Sequence, residues 1–527
     1  MTESTRSASG LSRRAIFRTG GVAGAVSVLG GTLTAASATM PAAPTGGNIY
    51  TRIGVRPFIN LTATFTINGG TLTLPEVKQA MEEASYHPVN FDELMEKVGE
   101  RLARLLNCEW GIVTAGCAAA LAHATAACVA GADPEKMQQL PNLAGLKDQV
   151  ISPRQSRNVY DHAIRSVGVK IVEVESREEF HAALGKRTAV VAVLGTGEAR
   201  GKIRLEEMAE AAHKLGVPVL VDAAAELPLV PNPYLSRGAD MVAYSGGKII
   251  RGPQCAGLLL GRKDLVQAAW VNSSPHHAFG RSMKVGKEEI MGMLAAVEVW
   301  AGKRDIRAEY REWESWYAFI SEAITTVSGV RAKVAPPAGA SPFPVLNVEW
   351  DPEKIGMTAG ELGRLLLEGE PRIMSHAEGA GYSFVIRPVA MKPNEYKLVA
   401  ERLREIFSRA PKGGAKPALA PPVADVAGRW DVELAFVYGS SQHRLFLETN
   451  GNRVTGTHFG RALSGELNGS VDGDRIRLRS TFPYEGTQLT HEFAGSVEGD
   501  RMSGEVSLGE YGRARWTARR HRYSARA

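Results

Sequence analysis

The sequence predicts an α/β protein built on a mostly parallel sheet, followed by a smaller all-β domain. Between residues 108 and 260, apolar runs of strand length alternate with amphipathic runs of helix length, a pattern typical of a parallel sheet covered on both faces. From Arg429 to Arg520 the pattern changes to short alternating strands broken by Asn-Gly and Asp-Gly turns, which predicts a small antiparallel barrel or sandwich. The length of 527 residues allows two or three domains with their own cores.

These patterns divide the chain into five segments. A long helical stretch beginning at Lys287 leads into a smaller α+β region, and a stretch rich in Pro, Ala, Gly and Lys precedes the β domain. The predicted segments are an export signal at 1–38, a large domain at 48–300, a small domain at 301–411, a linker at 412–424 and the β domain at 425–522.

Charge is distributed unevenly along the chain. Lys and Arg number 62 against 56 Asp and Glu, a net charge of +6. Residues 1–38 hold four arginines and one acid, and the stretch from Arg513 to Arg526 holds six arginines and no acid. The remainder is therefore slightly acidic, which argues against a nucleic-acid groove. The four cysteines form no CxxC pair, so we expect free buried thiols and no zinc site.

The N-terminal segment has the pattern of a twin-arginine export signal. Arg13 and Arg14 precede a weakly apolar Gly- and Ala-rich run from Gly20 to Ala38, whose last three residues suit a cleavage site. The sequence therefore predicts export by the twin-arginine route to the periplasm or the extracellular space, with no membrane span after the signal is removed. An uncleaved N-terminal anchor is the alternative.

A glycine turn followed by a helix start predicts an anion site. The run from Gly111 to Leu121 is typical of a strand, a glycine turn and an alanine-rich helix. Backbone N–H groups at a helix start lack partners within the helix, and the helix dipole adds positive potential there. Gly116, Cys117 and Ala118 are therefore candidates to bind a phosphate group.

Asp222 and Lys248 form the predicted chemical centre. Asp222 follows the apolar run Val217 to Val221, and Lys248 follows a second short strand on a glycine-flanked loop. Ligands of open α/β sheets bind at the carboxyl ends of strands, so we expect both side chains to face one crevice. Pyridoxal 5'-phosphate uses such a pair, because a lysine amine forms a Schiff base with its aldehyde and a buried aspartate keeps its pyridine nitrogen protonated. Ser245 is a candidate donor to its phosphate.

The residues around this pair resemble a known enzyme family. The carrying motifs are Asp222-Ala223-Ala224-Ala225-Glu226, Ser245-Gly246-Gly247-Lys248, Gly252-Pro253-Gln254 and the stretch from Arg281 to Glu289. They are similar to the selenocysteine-synthase-like (SelA-like) branch of the fold-type I pyridoxal-phosphate enzymes, nearest to its amino-sugar-acid ammonia lyases. The likeness runs from Asn48 to Ala410. It implies a pyridoxal-phosphate-binding large domain, an α+β small domain, and a homo-oligomer whose sites are completed across a dimer interface.

The resemblance also implies residues around the cofactor. A group over the cofactor face is expected between Pro153 and Arg165, where Arg154, Arg157, Tyr160 and His162 all remain open.

The same resemblance implies an arginine for the substrate carboxylate. The small domain usually supplies it, and an arginine fork suits a carboxylate better than a lysine does. Arg387 is the candidate and Arg372 the reserve. Arg281 is a further candidate, either for an acidic substrate group or for the phosphate of a neighbouring subunit's cofactor.

Together these features predict a pyridoxal-phosphate-dependent lyase. Lys248 is expected to bind the cofactor as an aldimine and then to remove the substrate's α proton; loss of a β leaving group and hydrolysis would release ammonia and a keto acid. The substrate class is a hydroxylated amino acid or amino-sugar acid, with no metal and no nucleic-acid partner. Two alternatives stay open: a selenium or sulfur transferase, racemase or aminotransferase with the same cofactor, and a non-catalytic exported binding protein acting through the β domain.

Overall fold

The computed structural model describes residues 47–414 and 418–522, and the chain divides into two compact units, residues 1–57 and 58–527. The described part of the first unit holds one 3-10 turn, Thr51–Ile53. The predicted signal at residues 1–38 lies outside the described residues. No helix within the described ranges is long and apolar enough to cross a membrane.

The second unit begins with a strand and a seven-stranded sheet. The strands are β1 (Ile59–Asn60), β2 (Trp110–Thr114), β3 (Gln149–Pro153), β4 (Lys170–Val174), β5 (Thr188–Leu194), β6 (Val219–Asp222), β7 (Met241–Ser245) and β8 (Gly257–Gly261). The sheet order is β2-β8-β7-β6-β5-β3-β4, and only β8 runs antiparallel to its neighbours. All of β6 and nearly all of β5 is buried, as expected for central strands covered on both faces. The prediction of a mostly parallel sheet is confirmed.

Ten helices accompany this sheet. They are α1 (Pro75–Ser85), α2 (Phe91–Leu106), α3 (Gly116–Ala130), α4 (Pro134–Gln139), α5 (Asp161–Arg165), α6 (Arg177–Ala183), α7 (Gly195–Glu198), α8 (Leu205–His213), α9 (Lys263–Val271) and α10 (Lys287–Gly302). The alanine-rich α3 is buried along most of its length and packs on β7 and β8. Its small side chains allow this close approach to the sheet.

A smaller α+β region follows. Its elements are α11 (Ile306–Thr325), β9 (Val330–Ala335), β10 (Val345–Trp350), α12 (Ala359–Glu368), β11 (Ile373–Met374), β12 (Ser383–Ile386) and α13 (Glu395–Arg409). The stretch predicted as one helix from Lys287 is two helices, because the Asp305 side chain accepts the N–H groups of Arg307 and Ala308 and starts α11 anew. β9, β10 and β12 form an antiparallel sheet, and β11 pairs with β1. This pairing ties the N-terminal strand to the small domain.

The C-terminal region is a closed antiparallel barrel of eight strands. They are β13 (Gly428–Ala435), β14 (Ser440–Asn450), β15 (Arg453–Phe459), β16 (Ser464–Asp472), β17 (Arg475–Tyr484), β18 (Thr487–Glu498), β19 (Arg501–Ser507) and β20 (Arg513–Arg520). Pairing of β20 with β13 closes it, so no strand edge is left exposed. Trp430 and Trp516 fill its core. Of the two predicted forms, barrel and sandwich, the barrel is the one observed.

Three buried histidines lie together inside the barrel, and two of them are hydrogen-bonded to each other. Nδ1 of His443 lies 2.7 Å from Nε2 of His458, whose Nδ1 lies 2.7 Å from Oγ of Ser480, and His491 packs beside them. Burial lowers the pKa of His443 to about 4 and that of His458 to about 2, so these rings are neutral at physiological pH. Among the residues the structure describes, no group of three or more His, Cys, Asp or Glu is arranged to hold a metal ion.

All four cysteines are free thiols. Cys117 is buried and Cys108 and Cys128 are half-buried, but Cys255 is exposed, so the expectation of burial is wrong for that residue. Cys255 lies in the turn before β8, where the chain faces solvent and not the sheet.

Candidate active site

Asp222 ends β6 as a buried carboxylate with one oxygen available. Its Oδ1 accepts the N–H of Ala224 at 3.0 Å and lies 3.7 Å from the Cys117 thiol. No hydrogen bond to Oδ2 is found among the described residues. Burial raises the pKa of Asp222, while the Ala224 N–H and the charge of Lys248 oppose that shift. A cationic N–H group meeting Oδ2 would offset the cost of burying this charge.

Lys248 lies on the loop between β7 and β8 with its amine unpaired. The glycines before it let the loop pack tightly: a Cβ on Gly246 would overlap the Met293 sulfur and the Ala256 carbonyl. The N–H of Thr71 donates to the Gly247 carbonyl at 3.1 Å, which ties the N-terminal segment to this loop. Within the described chain Nζ has no hydrogen-bond or ion-pair partner, and it lies 5.8 Å from the centre of the Tyr160 ring.

A cavity of about 200 Å³ brings Lys248 together with residues from distant parts of the chain. Its lining includes Phe65 from the N-terminal segment, Tyr160, and Arg387 from the small domain. Of the four residues left open for the cofactor face, Tyr160 is the one that lines this cavity, and its role there stays a prediction.

The other three residues considered for that place lie elsewhere. Arg154 and Arg157 both form ion pairs with Glu173, and His162 is exposed.

The start of α3 offers the predicted anion site. Gly116 has a φ of +84°, which favours glycine, and no side chain caps the helix start at Ala115. A Cβ on Gly257 would overlap the backbone of Gly116 and Cys117, so β8 presses directly against this turn. Ala118 is exposed and Ser245, at the end of β7, is half-buried. Uncapped N–H groups at an accessible helix start suit a phosphate.

Arg387 is the predicted substrate arginine that the structure brings to Lys248. Its Nη1 is buried and has no hydrogen-bond partner among the described residues. Burial lowers the pKa of Arg387, and its backbone N–H donates to Leu61 at 3.1 Å, which fixes the arginine beside the N-terminal segment. An unpaired buried guanidinium nitrogen suits a carboxylate ligand.

The two other candidate arginines lie outside this cavity lining. Arg372 lies over the ring of Phe58 and donates to the Leu367 carbonyl at 3.2 Å. Arg281 is exposed on the segment before α10. The roles of all three arginines in substrate binding stay predictions.

No sequence pattern indicated two aromatic residues, Phe65 and His376, that lie at or near the cavity. The ring of His376 packs edge-on against Phe65 with centroids 4.6 Å apart. Burial lowers the pKa of His376, and the charge of Arg387 adds to this shift. No local motif marks either residue; only the pairing of β1 with β11 brings their segments together.

Comparisons with known proteins agree with this geometry. A profile described as aminotransferase class-V matches residues 77–284. D-glucosaminate-6-phosphate ammonia lyase of Salmonella typhimurium is 29% identical over 376 residues, which cover 69% of this chain and 99% of that protein. A solved structure of D-glucosaminate-6-phosphate ammonia-lyase matches with a TM-score of 0.61 at 28% identity, over 69% of this chain and 99% of that one. The chain has the fold of the fold-type I pyridoxal-phosphate enzymes.

Other proteins similar to this chain are named for different reactions. 5'-C-glycyluridine monooxygenase-decarboxylase of a Streptomyces species is 29% identical over 373 residues, covering 68% of this chain and 92% of that protein. An L-seryl-tRNA(Sec) selenium transferase of Moorella thermoacetica is 23% identical over 428 residues, which cover 69% of this chain and 84% of that protein. The predicted fold, the SelA-like resemblance, the cofactor and the class of lyase or transferase are thereby confirmed.

The residues present fit pyridoxal 5'-phosphate. The unpaired Lys248 amine suits its aldehyde, the open oxygen of Asp222 suits its ring nitrogen, and the uncapped start of α3 suits its phosphate. The Tyr160 ring lies on the cavity side of Lys248, where it can pack on an aromatic ring. These individual roles stay predictions that the experiments below address.

Proposed function

We propose that this enzyme is an exported lyase that removes the elements of ammonia from a hydroxylated amino acid or amino-sugar acid. The observation that carries the proposal is one cavity lined by an unpaired lysine amine and a buried, unpaired arginine nitrogen. With pyridoxal phosphate held by the lysine, a small molecule would offer its amine to the cofactor aldehyde and its carboxylate to the arginine. The similarity to an ammonia lyase along 99% of its length supports the choice of reaction.

Separate residues of this chain carry out separate steps of the proposed reaction. Pyridoxal phosphate, when bound, supplies an electron sink for the carbon next to the substrate amine. Arg387 holds the substrate carboxylate, which orients the Cα–H bond, and Nζ of Lys248 accepts the α proton. The Asp222 carboxylate would keep the ring nitrogen of the bound cofactor protonated. Loss of a β hydroxyl and hydrolysis then give ammonia and a keto acid.

The test is an assay of the purified holoenzyme against hydroxylated amino acids and amino-sugar acids, in phosphorylated and unphosphorylated forms. Ammonia and keto acid are expected in equal amounts, without oxygen uptake. Exchange of the α proton without ammonia release would indicate a racemase instead. Oxygen uptake with loss of carbon dioxide would indicate chemistry like that named for the Streptomyces relative.

Arg387→Ala is expected to raise KM by about ten- to a hundredfold, because a charge-assisted pair with the substrate carboxylate is lost. Arg387→Lys is expected to recover only part of the affinity, since lysine cannot bind both carboxylate oxygens. Arg331→Ala is the control, because Arg331 is an exposed small-domain arginine 3.8 Å from Glu349. A KM unchanged in Arg387→Ala but raised in Arg372→Ala would transfer the role to Arg372.

Export by the twin-arginine route is part of the proposal, on the pattern of Arg13 and Arg14 before a soft apolar run. Replacing both with Lys is expected to leave the full-length protein in the cytoplasm, whereas Arg6→Lys is expected to have no effect. Cell fractionation and the N-terminal sequence of the exported form measure this. Export unaffected by the double replacement would contradict the proposal.

We also propose a homo-oligomer of at least two subunits. Arg281 is exposed and lies away from its own chain's Lys248 cavity, a position from which it can serve a neighbouring subunit. The mass of the holoenzyme in solution tests this, and a monomeric active enzyme would contradict it.

A further inference from the structure

The barrel touches the active-site region of the large domain through one hairpin. Strands β17 and β18 are joined by a two-residue turn, Glu485-Gly486, with Glu485 at a φ of +51°. Gly486 lies directly on the backbone of Asn158, so closely that a Cβ would overlap the Asn158 carbonyl group. Only glycine at this position leaves room for the hairpin to approach so near.

An ion-pair network fastens the same hairpin. Oε2 of Glu485 accepts Nη2 of Arg157 at 2.7 Å, and Arg165 lies 4.0 Å away. The Arg157 side chain is only 10% exposed, and it also binds Asp161 and Glu173. Removing an acidic partner from a largely buried arginine destabilises the folded protein, whereas breaking an exposed ion pair has little effect. The barrel therefore supplies one of the acids that hold Arg157 in place.

Asn158 connects this contact with the reacting amine. Its Oδ1 accepts the N–H of Tyr160 at 2.8 Å, and its carbonyl accepts the N–H of Asp161 at 3.1 Å. Its Nδ2 donates to the Ser156 carbonyl at 3.0 Å. The ring of Tyr160 then faces Nζ of Lys248. Two residues of chain thus separate the hairpin from the side chain that lines the cavity.

The charge of a second barrel loop acts on the same tyrosine. Burial raises the pKa of Tyr160, and the charges of Asp222, Cys117 and Glu510 add to it. Glu510 belongs to the turn between β19 and β20, so the end of the barrel that carries the β17–β18 hairpin is the one near the cavity.

We propose that Glu485 and Gly486 are positioning residues of the active site: the β17–β18 hairpin holds Asn158 and Arg157 and thereby fixes Tyr160 against Lys248. The barrel then supports the segment that carries Tyr160, although no barrel residue lines the cavity itself. The ammonia lyase aligns over 99% of its length with only 69% of this chain, so that relative leaves nearly a third of this chain unmatched. The proposal depends on the bound cofactor and not on the proposed substrate.

Gly486→Ala and Glu485→Gln test the proposal in the full-length holoenzyme. We expect hydrogen exchange across residues 154–165 to rise about tenfold or more in both variants, with or without cofactor, because the hairpin no longer restrains that loop. We expect the visible circular dichroism of the bound cofactor to change, and kcat to fall more than KM rises.

Two control variants distinguish loss of the contact between the β17–β18 hairpin and the large domain from a general loss of barrel stability. Gly499→Ala strains the hairpin at the opposite end of the barrel, where the glycine has a φ of +59° and no atom lies near its Cβ position. Glu492→Gln removes an exposed carboxylate that pairs with Arg479 at 3.4 Å. Both are expected to leave exchange at 154–165 and the cofactor signal unchanged.

Two results would overturn the proposal. One is unchanged exchange at 154–165 and an unchanged cofactor signal in both Gly486→Ala and Glu485→Gln while the barrel stays folded. The other is equal effects in the test and control variants, which would assign a purely structural role to the barrel. A failure of the lyase assay alone leaves these readouts intact, so the two proposals fail separately.

Discussion

Lys248→Ala is expected to abolish turnover and the covalent attachment of the cofactor. The amine of Lys248 is the one that lines the cavity, and it has no protein partner among the described residues that would compete for it. Loss of a general base costs about 10²–10⁴-fold in rate, and loss of covalent catalysis adds to that. We therefore expect kcat to fall at least about a thousandfold.

The measurement is the visible absorption spectrum before and after borohydride reduction. In the wild type, reduction should fix the cofactor to the peptide that contains Lys248, and in Lys248→Ala the cofactor should wash out. Lys263→Ala is the control, because Nζ of Lys263 packs 4.3 Å from the Trp110 ring, outside the site. A reduced cofactor found on another lysine would contradict the assignment. A wild-type protein without a visible band after addition of pyridoxal phosphate would support the non-catalytic alternative.

Asp222→Asn is expected to lower kcat by about 10²–10⁴-fold while the cofactor still binds. The substitution keeps the shape of the side chain, and its oxygen can still accept the Ala224 N–H. It removes the negative charge that would face the ring nitrogen. A spectrum that shows bound cofactor together with near-complete loss of ammonia release is the expected result; full activity would contradict the role of Asp222.

The pKa of Asp222 also predicts how the stability of the cofactor-free protein depends on pH. Burial raises the pKa of Asp222 in the folded cofactor-free protein above its unfolded value. The folded state then binds a proton more tightly, so stability falls as pH rises through the unfolded pKa and up to the folded one.

Cofactor-free Asp222→Asn should therefore have a higher Tm than cofactor-free wild type at neutral pH, and this difference should vanish in acid. Thermal unfolding monitored at several pH values measures it. A Tm difference that stays constant with pH would indicate that the charge of Asp222 is not the cause.

Local sequence patterns predicted much of the fold because each strand and helix carries its own signal. The strand, glycine turn and alanine-rich helix predicted between Gly111 and Leu121 occur as β2, the turn before Gly116 and α3. The mostly parallel sheet follows from continuous apolar runs, and an antiparallel β domain follows from the Asp-Gly-type turns, which did not distinguish a barrel from a sandwich. The break at Asp305 was missed, because the amphipathic pattern continues on both sides of it.

The site was predicted in part for the same reason. Asp222 and Lys248 follow neighbouring parallel strands of one sheet, so their placement at the same edge of that sheet is a consequence of topology that the sequence predicts. The sequence did not show which of the four polar residues between Pro153 and Arg165 lines the Lys248 cavity, and in the structure that residue is Tyr160. Neither were Phe65 and His376, because their positions depend on the pairing of β1 with β11.

The sequence by itself determined the strands, the glycine turns, and the lysine and aspartate placed at strand ends, since these depend on residues close together in the chain. Only the tertiary structure decided which surfaces meet. Glu485 and Arg157 are 328 positions apart, and no periodic pattern links them. Their pairing depends on the shape of two separately formed domains, which is why the barrel's place beside the active site became visible only in the folded chain.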